Sequence, residues 1–395
     1  MTRTDPGALE RYLRSVAADL RGPGLVLEDD PDAITRFLDL PAVAIQQRML
    51  MPARFDRGAD AVPPFVPNEA SCLEWVLAAE WLAWGDPGMT LASPGPSLST
   101  AVVRALADEE QRDWFFTRIA RWPTWTFFAL TEPGKGSAAT ELEAALTPVP
   151  DRSGWLLSGE KMYIGNGAHA QLGVVFCRRA PGPWGIEAVL VDTTDPGFRA
   201  EPLPMLGLRG ARISRLRFDD VYVSPERVLG RDRPPSRRGL RGALGAMLWF
   251  RPSVAAFALG ATRAACDYVL AERPALAGAD RALVDDMSDR RSRLRALLHR
   301  AAVEIDAGAP NIHRVSAVKT RAADLAEEAT RLAAWLLGPA SLIEHPWLDK
   351  LYRDVRAFEF MEGTGNIHRR TVFQGLLRDD FFVADPDDLG CDGAA

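Results

Sequence analysis

Lysine is scarce in this chain. Only Lys135, Lys161, Lys319 and Lys350 interrupt an otherwise arginine-based set of 47 basic residues. Against 53 acidic residues these leave a net charge of −6, so no global attraction to nucleic acid is expected. Cysteine is scarce too: Cys72, Cys177, Cys266 and Cys391 show no CxxC spacing, which excludes a sequence-encoded zinc site or disulfide framework. No run approaches the ~18 uninterrupted apolar residues of a membrane helix. The N-terminus, Met1-Thr-Arg-Thr-Asp-Pro-Gly, lacks a basic-then-apolar leader pattern. A reducing, cytoplasmic setting without membrane, nucleic acid or metal is therefore expected. Internal repeats and low-complexity segments are also missing.

What is there is an ordinary globular composition, 47% hydrophobic and 25% charged. A chain of 395 residues exceeds what one core organises, so two or three layered units are expected. The order is helical, then strand-rich, then helical. Residues 1–125 read as an N-terminal helical domain: Leu73 to Leu82 carries apolar residues at i, i+3 and i+4, Asp86-Pro87-Gly88 breaks it, and a second run follows Ser97 with Val102, Val103, Leu106 and Trp114 inward. Residues 126–232 read as a middle β-domain. Strands are expected over Thr124–Leu130, Trp155–Leu157, Lys161–Ile164, Gly173–Cys177, Ala188–Val191 and Arg215–Phe218, a spacing that suits a small sheet or barrel. Residues 244–395 read as a C-terminal helical bundle domain. Its four long helices are expected through Val254–Leu270, Asp285–Val303, His313–Leu337 and onward from Pro346 through Tyr352 and Phe358. The fold class is α+β, with a β-barrel-like middle domain between helical N-terminal and four-helix C-terminal domains.

Three segments carry chemistry. Phe128-Ala-Leu-Thr-Glu-Pro-Gly-Lys-Gly-Ser137 leaves a strand and enters a Gly-rich turn whose backbone N–H groups suit a phosphate or polar ring edge, although the Gly-Lys-Ser/Thr ending of a Walker loop is missing. Gly159-Glu-Lys-Met-Tyr-Ile-Gly-Asn-Gly sets an aromatic, Tyr163, beside glycines that permit close backbone approach. Phe360-Met-Glu-Gly-Thr-Gly-Asn-Ile-His places Glu362 at the end of an apolar helix, where partial desolvation would raise its pKa toward that of a useful general base. Each has a plainer reading: a simple turn, a packed tyrosine, an exposed capping glutamate.

Taken together and in order, these segments resemble the acyl-CoA dehydrogenase family over nearly the whole chain. Ala107-Asp-Glu-Glu-Gln-Arg is similar to the family's Gly-x-Glu-Glu-Gln helix start, and Thr131 to Ser137 to its Thr-Glu-Pro-Gly-x-Gly-Ser signature. Leu206-Gly-Leu-Arg-Gly and Phe218-Asp-Asp-Val-Tyr-Val-Ser resemble its later strands, and Lys350-Leu-Tyr-Arg-Asp precedes Met361-Glu-Gly-Thr at its spacing. The resemblance implies a noncovalent FAD and an acyl-CoA or acyl-carrier-protein substrate. It also implies loss of a Cα proton and a Cβ hydride to give the trans-2-enoyl thioester. It assigns Glu362 as base, with its N–H and a ribityl hydroxyl as donors to the thioester oxygen. Phe128, Leu130, Thr131, Gly136, Ser137, Tyr163, Ile164, Gly165, Thr364 and Asn366 are implied as cofactor contacts. Ser137, Arg251 and Gly363 are implied on the substrate side, with Arg251 at the start of the first C-terminal helix. Arg273 is implied to reach a neighbouring subunit's FAD in a homodimer or homotetramer. The electron acceptor would be electron-transferring flavoprotein or oxygen.

The sequence departs from that pattern in places. Gly165 stands where a flavin-side threonine is usual, and Arg273-Pro-Ala-Leu-Ala replaces Arg-x-x-Phe-Gly. Val284 replaces a common glutamine, and Ala334-Trp-Leu-Leu-Gly-Pro-Ala-Ser replaces Gln-x-x-Gly-Gly-x-Gly. The inter-subunit half of the FAD site is thus eroded. This suits a specialised relative, such as an acyl-carrier-protein-linked dehydrogenase of a biosynthetic pathway. A catalytically impaired partner subunit and a flavin oxidase or monooxygenase on the same fold remain as alternatives. Arg231, Arg233, Arg237, Arg238 and Arg241 read either as a solvated basic linker or as a site for an acidic carrier protein or CoA phosphate. Trp81, Trp84, Trp122 and Trp125 read as core packing or as an aromatic-lined acyl pocket.

Overall fold

The computed structural model describes residues 6–56, 62–136, 138, 140–378 and 380. Seven helices come first: α1 (Pro6–Ala17), α2 (Arg21–Asp29), α3 (Pro41–Leu50), α4 (Cys72–Gly85), α5 (Pro87–Ala92), α6 (Leu98–Leu106) and α7 (Glu109–Ile119). α4 opens on a capping box between Ser71 and Glu74. It is apolar all round because α1, α8 and α9 pack against it on different sides. The Asp86-Pro-Gly break does stop α4, but it also starts α5: Asp86 accepts the Met89 N–H at 2.8 Å and Pro87 fills the first helical position. The run after Ser97 is two helices, because Asp108 caps α7 in a second box with Gln111. Trp114 is only half-buried there, and Phe115 and Phe116 fill the core instead.

Seven strands follow: β1 (Thr126–Ala129), β2 (Ala145–Pro148), β3 (Trp155–Ile164), β4 (Leu172–Arg178), β5 (Ile186–Asp192), β6 (Phe198–Pro202) and β7 (Ser214–Val223). They form one sheet in the order β1-β4-β2-β3-β7-β6, with β5 antiparallel on β4. The segments Trp155–Leu157 and Lys161–Ile164, expected as two strands, are one. The register shifts beside Gly159, where φ is +138° and an added Cβ would sit 2.6 Å from the Ala144 Cα, so only glycine fits. β2 and β6 were not expected. Both are short and largely exposed, and each ends in proline, so neither carries an alternation to read.

The C-terminal helices are α8 (Leu240–Glu272), α9 (Gly278–Asp306), α10 (Ile312–Leu337), α11 (Ser341–Glu344), α12 (Pro346–Asp354) and α13 (Gly365–Leu377). The fourth expected helix is not continuous: α12 ends in a 3-10 turn over Val355–Glu359, and α13 starts only after Gly363 and Thr364. α8, at 33 residues, is about 50 Å long and packs on α4, α6, α9 and α10. Gly260 lets it touch α4, since a Cβ there would sit 2.1 Å from the Glu80 carbonyl oxygen. The stretch from Met247 to Glu272 is long and apolar enough to cross a membrane, but 72% of its apolar window is buried in the chain. Arg251 lies well inside α8, not at its start, because the helix begins eleven residues earlier at Leu240.

One buried cluster joins all three parts. Lys350 of α12, 2% exposed, donates to Asp86 at 2.9 Å and to Asp354 at 2.5 Å. Asp354 also accepts the Leu208 N–H from the β-domain at 2.6 Å, and the neighbouring Arg353 pairs with Glu28 at 2.6 Å and donates to the Leu206 carbonyl at 2.9 Å. Burial favours the neutral amine of Lys350, but the two carboxylates outweigh it and hold its pKa above the ordinary value. Lys350→Met would leave two carboxylates buried without a cation. We expect a loss of about 3–5 kcal/mol in a denaturant titration of the cofactor-free protein. A loss below about 1 kcal/mol would show that the three parts do not depend on this cluster.

Candidate active site

The turn between α12 and α13 runs through left-handed backbone. Glu362 has φ +53° and Gly363 φ +103°. The first is a conformation that a glutamate adopts at a cost of about 1–3 kcal/mol. Side chains from three helices hold it. Arg251 of α8 donates from Nε to the Glu362 carbonyl at 3.1 Å, and His368 of α13 meets the same oxygen through Nε2 at 3.2 Å. Lys319 of α10 donates from Nζ to the carbonyls of Glu359 and Gly363, both at 2.8 Å. The Glu359 carboxylate accepts the Gly365 N–H at 2.9 Å.

The electrostatics of this turn are set by burial. The Glu362 Oε2 atom is shielded and has no hydrogen-bond partner among the described residues. Burial pushes the Glu362 carboxyl up to about 7, with Arg251 and Lys319 pulling the other way. Lys319 is brought down to about 8, also by burial. His368 is driven down to about 4 by burial, so at neutral pH it is an uncharged donor to the Glu362 carbonyl. The Glu362 N–H has no hydrogen-bond partner among the described residues. The site therefore presents a carboxyl poised near neutrality beside an uncommitted backbone donor.

A second group gathers on the sheet. The Met162 N–H donates to the Thr131 carbonyl at 2.9 Å, which ties the Gly-rich turn to β3. Lys161, 0% exposed, donates to the Leu130 carbonyl at 3.1 Å and to Glu132 at 2.8 Å. Glu132 also accepts the N–H groups of Glu143 and Ala144 at 2.6 and 3.0 Å. Beyond this bolt, Tyr163 is 64% exposed at φ +60°, unusual for an aromatic in a strand. A Cβ on Gly136 or Gly165 would meet nothing within 4 Å. An exposed aromatic, open glycines and an anchored turn fit a planar ring system laid against β3. Ile164 and Leu130 point into the core, and Phe128 is half-buried against Phe176, with ring centroids 5.3 Å apart. Thr364 stands at the N-cap of α13 without using its side chain as a cap, and Asn366 is exposed on the first turn. Ser137 lies outside the described residues.

The other sequence candidates sit elsewhere. Arg273 ends α8 about 33 Å along the axis from Arg251. It donates to the Leu336 carbonyl at 2.7 Å and faces Asp280 at 3.7 Å, so it belongs to neither group within the chain. The arginine cluster is not a free basic patch. Arg231 pairs with Asp108 at 3.1 Å and Arg238 with the buried Glu187 at 2.8 Å, which leaves Arg233 and Arg237 exposed. Trp81 and Trp125 are core residues, Trp84 is half-buried with Nε1 donating to Asp267 at 2.9 Å, and Trp122 faces solvent. The aromatics beside a cavity are others: Trp249 and Phe250, next to Arg251, line about 400 Å³ between α3, α6 and α8, together with Leu50, Thr100, Ala101 and Arg104. Sequence reasoning also missed Lys319, His368, Glu359 and the Glu132–Lys161 pair. The scarcity of lysine was the available signal, because Lys161, Lys319 and Lys350 are all buried.

The sequence matches two parts of one family: acyl-CoA dehydrogenase, middle domain, over residues 127–221, and acyl-CoA dehydrogenase, C-terminal domain, over residues 237–377. The chain belongs to the acyl-CoA dehydrogenase family. It is an oxidoreductase acting on CH–CH bonds. A probable medium-chain specific acyl-CoA dehydrogenase of Caenorhabditis briggsae is 28% identical over 77% of this chain and 76% of its own length. Butyryl-CoA dehydrogenase from Megasphaera elsdenii shares the fold with TM-score 0.79 at 23% identity, over 96% of this chain and 100% of that one. The prolyl acyl carrier protein oxidase AnaB shares it with TM-score 0.80 at 20% identity, over 95% of this chain and 100% of that one. This acyl-CoA dehydrogenase family member thus has the family's helical–sheet–helical order.

The burial of Glu362 has a thermodynamic consequence. Between about pH 4.5 and 7 the folded chain keeps a proton on Glu362 that the unfolded chain has released, so this group's contribution lowers stability as pH rises through that window. Glu362→Gln removes the penalty. At pH 8 the cofactor-free variant should be more stable than the parent by up to about 3 kcal/mol, with the difference gone below about pH 4.5. Equal stability at both pH values would mean that the carboxyl is not held from water.

Proposed function

We propose that this chain is a FAD-dependent dehydrogenase that converts an acyl thioester to its trans-2-enoyl thioester, with Glu362 as the catalytic base. The observation that carries this reading is the half-buried Glu362 carboxyl, with its Oε2 shielded and unpartnered and its pKa raised to about 7, on a turn whose own N–H is uncommitted. The bound flavin supplies an acceptor for the hydride that leaves Cβ. The chain does the rest. Glu362 takes the Cα proton onto its carboxylate, and the C–H electrons become the new double bond as the Cβ hydride departs. The Glu362 N–H donates to the thioester oxygen and stabilises the negative charge that develops there. Arg251 and His368 fix the carbonyl of the residue that carries both groups. Thr131, Gly136, Tyr163 and Gly165 would hold the flavin, and Thr364 and Asn366 its nucleotide part.

The acyl group is carried on CoA or on a carrier protein. Electrons would pass to an electron-transferring flavoprotein or to oxygen, and the cytoplasm is the setting this reading assumes. Two copies would pair through the C-terminal helices, where Leu283, Leu297 and Trp335 are exposed. Arg273, at the end of α8, would face the partner's cofactor.

The purified protein should carry a flavin spectrum that an acyl thioester bleaches without oxygen. Glu362→Gln should keep the flavin and bind the thioester yet bleach at least ~10³-fold more slowly. Bleaching within tenfold of the parent would place the base elsewhere. A protein that stays colourless with added FAD would remove the enzymatic reading. Light scattering should give at least a dimer, and a flavin-bound monomer would contradict the pairing.

A further inference from the structure

Lys319 is 0% exposed on the inner face of α10, between the buried Val318 and Thr320. Helix packing alone gives no reason for a cation there, since an aliphatic side chain would fill the space without the cost of dehydrating an ammonium. The ammonium meets two backbone carbonyls, of Glu359 and Gly363, at 2.8 Å each. These oxygens bracket the left-handed residue, one before the turn and one after it. Without a donor both would be half-buried acceptors in a segment that no longer follows helical bonding. Arg251 and His368 hold the middle carbonyl from the other sides. Arginine, the chain's usual cation, is a planar fork, whereas two carbonyls converging on one point suit a slim stem with a compact, rotatable head.

We propose that Lys319 is the positioning residue of the catalytic base, fixing the Glu362 turn through the Glu359 and Gly363 carbonyls and supplying a fixed positive charge to the Glu362 carboxylate. This rests on the dehydrogenase reading only for its effect on rate. The groups that face Lys319 are Glu359 and Glu362 from the turn, Arg251 from α8 and Asp324 from its own helix. His368, from α13, is uncharged at neutral pH. Arg251 is thus the other cation felt by Glu362. A merely structural lysine would change stability and leave the titration of Glu362 where it was.

The test uses Lys319→Met, which removes charge and donors at similar length, and Lys319→Gln, which keeps donors without charge. In cofactor-free protein, the Glu362 carboxyl band is followed by infrared titration, with Glu362→Gln to assign it. Both variants should move its midpoint up by about one pH unit. In flavin-loaded protein, Lys319→Met should slow anaerobic bleaching by an acyl thioester about 10–100-fold with KM changed less than threefold, and Lys319→Gln should fall less far. An unshifted midpoint in a folded variant overturns the proposal. So does a failure of both variants to fold, which would make Lys319 a structural staple. If the parent never bleaches but the midpoint still moves, the positioning role stands and the dehydrogenase reading falls.

Discussion

A left-handed glutamate next to a left-handed glycine is an unfavourable turn, and the architecture around it serves to hold it. Arg251 arrives on α8, Lys319 on α10 and His368 on α13, so the Glu362 turn is formed only when three helices meet. Each is set in place by contacts far from the turn. α8 lies against α4 through Gly260, and α12 is fixed to α5 and to the β-domain through Lys350, Asp86 and Asp354. The carboxyl that results has one oxygen shielded from water and two cations acting on it, and its pKa settles near neutrality instead of running higher. Burial supplies the basicity, and Arg251 and Lys319 limit the shift.

The distribution of lysine reflects the same physics. Most exposed cations of the chain are arginines, with Lys135 the partly exposed lysine among the described residues. At Lys161, Lys319 and Lys350 a compact ammonium sits among carbonyls or carboxylates with no solvent exposure to speak of. Lys161 secures the Gly-rich turn to β3, Lys319 secures the base turn, and Lys350 secures one part of the chain to the others. Each closes several buried hydrogen bonds at once, where a guanidinium would need a wider cavity.

Much of this was legible in the sequence because periodicity and turn residues carry it. The apolar run of α4, the amphipathic stretches of α9 and α10 and the apolar strands β4 and β5 announce themselves, and Glu362 stands out as a carboxylate between Met361 and two glycines. The rest was hidden for identifiable reasons. β2 and β6 are short and largely exposed, and the glycine bulge at Gly159 splits the pattern of β3 into two apparent strands. The family resemblance put Arg251 at the start of a helix, yet α8 begins at Leu240 and runs through Arg251 and Pro252. Lys319 lies more than forty residues from Glu362 and reads as one polar position in an amphipathic helix. Only the packing of α10 against the turn gives it a role. The arginine cluster misled in the opposite direction: Asp108 and Glu187, distant in sequence, occupy two of its members.

The central claim is that Glu362 removes a proton from the carbon next to the thioester. Single-turnover bleaching of the flavin-loaded protein by a thioester dideuterated at Cα tests it most directly, with the product weighed by mass spectrometry. The account predicts a primary isotope effect on bleaching, an enoyl product that has lost one of the two deuterons, and neither result with Glu362→Gln. Full bleaching by the parent with both deuterons retained in the product would contradict it.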